Sequence, residues 1–187
     1  MRHTGSLTLS LLLVLLTLAT PAMSGFEMNS SQCELDAEAL VRNYFPGSSI
    51  VKTRDLESDL RQFWAEKNPD ATPGCIAADF NADGATDYAL LLIKENNGKR
   101  TEDLVILLGA RDGGFKKMSL DTLTDRLGAF FLRPVLPSMI TPWDKRSGKK
   151  TGSISIPYVG VELVLFEAAA RVYYWRDGGF ASIQTAD

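Results

Sequence analysis

Over residues 34–45 the apolar positions are Ala37, Leu40, Val41, Tyr44 and Phe45, a three-and-four spacing that lines one face of a helix, and Pro46-Gly47 ends it. A second helix is predicted from Leu56, Leu60, Phe63 and Trp64, with a polar start near Thr53 or Asp55 and a stop at Asn68-Pro69. Its aromatic stripe reads as core rather than as a ligand groove, because aromatic residues at helical spacing are ordinarily buried. Beyond it the period shortens. Cys75-Ile76-Ala77-Ala78, residues 88–94 and residues 103–110 are apolar runs bounded by turn residues, which predicts strands, and Asn96-Asn97-Gly98 joins the last two as a hairpin. Their almost unbroken apolar character implies cover on both faces, at least in part, with the helices as one natural cover. Strand patterns return at 154–156, 159–166, 171–175 and 180–183, where Glu162 and Glu167 are expected at exposed alternate positions or strand ends.

Two turns share one pentapeptide. Arg111-Asp112-Gly113-Gly114-Phe115 recurs as Arg176-Asp177-Gly178-Gly179-Phe180, and both copies read as hairpin turns, since Asp-Gly and Gly-Gly tolerate positive φ. Between Gly128 and Gly152 lie Pro134, Pro137 and Pro142, followed by a basic stretch containing Trp143, Lys145, Arg146, Lys149 and Lys150. The segment is expected to be a long irregular connection with a basic tip. Its five residues are a candidate contact for an acidic protein or glycan partner; a solvated connection balancing an acidic domain is the alternative. Tyr173, Tyr174 and Trp175 could stack on sugar faces or pack into the core. Together the elements predict an α+β fold: two N-terminal helices packed on a mainly antiparallel sheet.

Asp79-Phe80-Asn81-Ala82-Asp83-Gly84-Ala85-Thr86-Asp87 carries the chemistry. In this D-x-N-x-D-G-x-x-D pattern the side chains of Asp79, Asn81, Asp83 and Asp87 and the backbone carbonyl of Ala85 offer oxygens to one point. A hard cation with six to eight ligands, calcium above all, needs such a set. Gly84 permits the sharp reversal. Magnesium, which keeps several waters, suits the set less well. The twelfth position is Leu90 rather than Glu, and the loop joins two predicted strands, so it is not an EF-hand. Over about residues 74–94 it resembles the FG-GAP/VCBS-type calcium loop of integrin-like propeller blades and many secreted bacterial proteins. That resemblance implies a calcium loop between two strands with Asp87 as its last ligand. No propeller-length array of such loops is present. An Asx-rich turn without metal is the alternative.

The N-terminus changes the setting. Arg2, an apolar stretch over 7–19 and Pro21-Ala22-Met23-Ser24 form the pattern of a secretory signal peptide, cleaved after Ser24 or Ala22. The stretch is short for a membrane span of about 20 residues, and nothing later is long and apolar enough to cross as a helix. The expected organisation is a leader at 1–24 and one calcium-binding domain at 25–187 in the periplasm or secreted space. In that compartment Cys33 and Cys75 are expected to form a disulfide, with two buried thiols as the alternative. An apolar content of 45% argues against a disordered chain. Loss of Arg2 with the leader takes the formal charge from −3 to −4, which gives no electrostatic basis for nucleic-acid binding. The one histidine is His3, so residues 25–187 hold none, and Ser-His-Asp, Cys-His and typical zinc catalysis are excluded. The expected function is an exported calcium-binding protein, its ion mainly structural, acting as a binding or interaction module. A calcium-dependent secreted enzyme acting on carbohydrate is the alternative.

Overall fold

The computed structural model describes residues 30–144, 146–150 and 152–186. The expected leader at 1–24 and Lys145 lie outside the described residues. In chain order the elements are α1 (Ser30–Tyr44), β1 (Ser48–Ile50), a 3₁₀ turn (Thr53–Asp55), α2 (Ser58–Lys67), β2 (Cys75–Ala78), β3 (Asp87–Asn96), β4 (Lys99–Gly109), β5 (Phe115–Leu123), β6 (Phe130–Val135), β7 (Ser138–Ile140), β8 (Trp143–Asp144), β9 (Lys149–Lys150), β10 (Ile154–Ile156), β11 (Gly160–Leu165), β12 (Ala169–Arg176) and β13 (Gly179–Ala186). Helices and antiparallel strands are segregated along the chain, an α+β arrangement rich in strand. The second helix starts later than its pattern predicts. The Asp55 carboxylate draws in the Lys52 N–H at 2.9 Å and closes a separate 3₁₀ turn ahead of it.

The first sheet runs β5-β4-β3, with β1 and β2 end to end along the far edge of β3, all antiparallel. Asn97 and Gly98, both at positive φ, make the tight turn between β3 and β4. A second antiparallel sheet runs β13-β12-β11-β6. The sequence pattern implies one sheet; the described residues form two large sheets and two two-stranded ones, the large pair because the apolar run of β3 and β4 exposes two faces and each needs its own cover. On one face Ala37 and Val41 of α1 pack with Leu90, Leu92, Val105 and Leu107. On the other, Leu60 and Trp64 of α2 meet Leu91, Leu104 and Ile106, and Phe131, Leu132, Val161 and Leu163 of the second sheet complete that core. Cys33 of α1 is disulfide-bonded to Cys75 of β2, fastening the helix to the strand that enters the acidic loop.

The described residues between 128 and 152 do not form the irregular connection that three prolines imply. β6 pairs with β11 along six positions, and Pro134 is accommodated there because β6 is an edge strand, where a missing N–H costs no ladder bond. Pro137 and Pro142 fall between strands. β7 pairs with β10 and β8 with β9, so the chain goes out and back as one interrupted hairpin arm. Ile140, Ile154 and Ile156 of its base pack against Val172 and Tyr174 of β12 and Ile183 of β13.

Candidate functional site

The acidic loop links β2 to β3, neighbours in the first sheet, so both its ends are fixed by ladder hydrogen bonds. Within it the chain turns through the left-handed region at Ala82 (φ 57°) and Gly84 (φ 85°). This path points successive backbone N–H groups inward onto Asp79. Its Oδ1 accepts from the Asp83 N–H at 3.1 Å and its Oδ2 from the Gly84 N–H at 2.9 Å. Asn81 Oδ1 also accepts from the Asp83 N–H, and its amide nitrogen donates to Asp83 Oδ2 at 2.8 Å. Asp83 Oδ1 accepts from the Ala85 N–H at 2.8 Å. That bond, with the Asn81 amide and the nearby Arg111 charge, holds the Asp83 carboxyl below its ordinary range.

Asp87 behaves differently. It is fully buried, and its two oxygens accept from the N–H groups of Phe80 and Gly109, each at 2.8 Å. The ninth-position carboxylate thus ties the loop to the end of β4. Burial first, then the charges of Asp83 and Asp79, push its carboxyl up to about 6, against the pull of the two N–H donors. The approach is close: a Cβ at Gly109 would stand 2.3 Å from the Thr86 carbonyl oxygen, so only glycine brings this N–H to Asp87.

Asp79, Asn81, Asp83 and Ala85 therefore lie in one wrapped turn, with Asp87 directed beneath it to backbone donors. Among the described residues no group of three or more His, Cys, Asp or Glu is gathered to hold a metal. The donor chemistry nonetheless fits a hard cation. Each carboxylate oxygen named above accepts a single hydrogen bond and keeps a lone pair, while Asn81 and the Ala85 carbonyl add neutral oxygens.

One residue of the site escapes a motif reading. Arg111, in the β4–β5 turn, donates from Nε and Nη2 to the Asp83 carbonyl at 3.1 and 2.8 Å, clamping the loop backbone from outside. This arginine opens the repeated pentapeptide, but nothing local in the sequence pairs it with residue 83. Arg176, its counterpart in the second copy, lies beside its own neighbour Asp177 at 3.2 Å.

The other candidates separate. Trp143, Arg146, Lys149 and Lys150 all belong to the outer part of the hairpin arm, where Trp143 faces Lys150 across β8 and β9. Arg146, Lys149 and Lys150 are exposed, and Asp144 there is occupied by the Ser147 hydroxyl at 2.8 Å and the Arg146 N–H at 3.0 Å. Tyr173 and Tyr174 are buried in β12 and offer no sugar-stacking surface. Tyr173 instead donates its hydroxyl to Asp121 at 2.7 Å, and burial together with that bond pushes its pKa up to about 12. Glu162 is likewise buried rather than exposed: β11 is an interior strand, and the carboxylate accepts from Arg133 at 2.8 Å and Thr185 at 3.1 Å.

Comparison of the chain with protein-family models, curated proteins and solved structures gave no match. Among the described residues no helix is long and apolar enough to cross a membrane.

Proposed function

We propose that this is an exported calcium-binding protein in which the ion at residues 79–87 is structural and the domain serves as an interaction module of the cell envelope or secreted space. The observation that carries the metal assignment is the wrapped turn itself. Left-handed Ala82 and Gly84 fold the N–H groups of residues 83 and 84 onto the Asp79 carboxylate and leave the lone pairs of Asp79, Asn81 and Asp83 available to a cation. The Ala85 carbonyl and waters add to the shell. Asp87 contributes either a further oxygen or the rigid floor on which the turn rests. A bound divalent ion relieves the repulsion among these carboxylates and locks β2 against β3.

Export is supported by the leader pattern at 1–24 and by the disulfide between Cys33 and Cys75. Interaction rather than catalysis is supported by the lack of histidine in residues 25–187 and by the exposed cations of the hairpin arm.

Isothermal calorimetry of calcium into metal-stripped protein tests the metal assignment. The expected dissociation constant is about 10⁻⁴–10⁻³ M, the range of extracellular calcium modules. Saturation at a hundredfold excess over that constant stabilises the fold by about 2.7 kcal/mol. Asp79→Ala and Asp83→Ala should each abolish the heat and the rise in melting temperature. No heat with the wild-type protein, and one melting temperature with and without calcium, would remove the assignment.

A further inference from the structure

The hairpin arm combines two features that an ordinary solvated loop does not need together. At its outer end Arg146, Lys149 and Lys150 are exposed, and among the described residues no carboxylate lies within ion-pair distance of their side chains. The adjacent Asp144 spends its oxygens on the turn. At its base stand Leu136 and Met139, each 63% exposed, and Tyr158 at 38%. These are three of the five exposed large hydrophobic side chains among the described residues, so the exposed apolar surface is concentrated on this arm.

The β7–β10 register explains the placement. Ile140 and Ile154 form one cross-strand pair, and their side chains turn inward onto β12 and β13. Met139 and Ser155 form the next pair, and strand alternation sends them to the opposite, outer face. Leu136 and Tyr158 flank the same two strands where they leave the body of the domain.

We infer that the hairpin arm is a docking element for an anionic lipid surface, with the cations of its tip on phosphate headgroups and Met139, Leu136 and Tyr158 entering the interfacial region. This rests on the domain acting as an interaction module and names the partner of its basic segment. Charge complementarity selects an anionic partner, since a protein with formal charge −3 places the exposed cations Arg146, Lys149 and Lys150 in one arm. The apolar residues select a lipid surface over a soluble polyanion, which would engage the cations and leave the hydrophobic side chains in water. Basic residues near an anionic bilayer contribute about 1 kcal/mol each, which gives weak, salt-sensitive and reversible attachment. Burial of the apolar side chains adds a salt-insensitive part.

The test is co-sedimentation of residues 25–187, which include every described element, with phosphatidylcholine vesicles containing or lacking phosphatidylglycerol, at two salt concentrations and with calcium chelated. Binding is expected only with the anionic lipid. It should weaken at least tenfold in Arg146→Ser/Lys149→Ser/Lys150→Ser, and severalfold in Leu136→Ser/Met139→Ser, with melting temperatures close to wild type. Heparin and polyglutamate serve as soluble polyanions. Equal capture of either one with no contribution from Leu136 and Met139 would overturn the lipid assignment and leave an interaction module for a polyanion. No binding to any of these probes would overturn the docking element altogether, whatever calorimetry finds for calcium. Retained vesicle binding in the triple variant would do the same.

Discussion

The least ordinary single residue is Glu102. It is fully buried on β4, its Oε1 accepts from Arg100 Nη2 and the Gly128 N–H, both at 2.9 Å, and its Oε2 has no partner. Burial raises its pKa above the ordinary 4.5, against the pull of Arg100 and Gly128. A carboxyl that holds its proton more tightly when folded gives stability that is fully present below pH 4.5 and is lost as pH rises through the raised folded value. Glutamine keeps the accepting oxygen and removes the titration. The melting temperature of Glu102→Gln relative to wild type should therefore climb between pH 4 and pH 7. A constant difference across that range would mean that residue 102 titrates alike in both states. Nothing in the sequence marks this position, because Glu102 opens an apolar run and looks like an exposed strand end. One of its partners comes from outside the local pattern: the Gly128 N–H reaches it across twenty-six residues.

At the scale of elements, legibility followed the range of the interactions. Both helices, the Asn97-Gly98 hairpin and the β2 and β3 strands around the acidic loop could be read locally, because helical spacing, turn chemistry and apolar runs are properties of a few neighbouring residues. The arm could be read only at β10, whose residues 154–156 carry a strand pattern; β7, β8 and β9 could not. Its strands are two or three residues long and carry Lys149, Lys150 and Ser138, and they exist because Ile140, Ile154 and Ile156 find β12 and β13 beneath them. The site divides in the same way. The motif supplies Asp79, Asn81, Asp83 and Gly84, whereas the inward direction of Asp87 depends on Gly109, twenty-two residues away, and Arg111 reaches Asp83 across twenty-eight. An exposed guanidinium making hydrogen bonds of this kind contributes about 0.5–1.5 kcal/mol. Arg111→Ala should lower the melting temperature of the metal-stripped protein by about 2–4 °C per kcal/mol lost. Arg176→Ala, whose guanidinium serves its own turn, should cost less. Calcium should narrow the gap between the two variants, since an ion would hold the same backbone that Arg111 holds; a gap unchanged by calcium in differential scanning fluorimetry would place Arg111 outside the loop's support.

At the scale of the whole molecule, the first sheet separates the two larger of the three cores formed by the described residues, and both draw on β3 and β4. One lies under α1; the other holds α2 and the second sheet. α1 is the smaller cover, with Ala37 and Val41 as its fully buried aliphatic residues, and the Cys33–Cys75 bond spans 42 positions to hold it in place. Closing a loop of that length stabilises by about 4 kcal/mol in the chain-entropy view, although engineered bonds often deliver less. The loss should be uneven. In Cys33→Ser/Cys75→Ser, amide hydrogen exchange should rise first in α1 and β1 and in the α1-facing contacts of β2. β11 and β12, whose ladders and core lie wholly on the other side of the sheet, should keep nearly wild-type protection until global unfolding. Because β2 leads directly into residue 79, the same variant should also bind calcium more weakly, the entering strand being less firmly set. Uniform loss of protection across both sheets would instead make the two cores one cooperative unit, and the disulfide a brace for the entire domain rather than for its helical face.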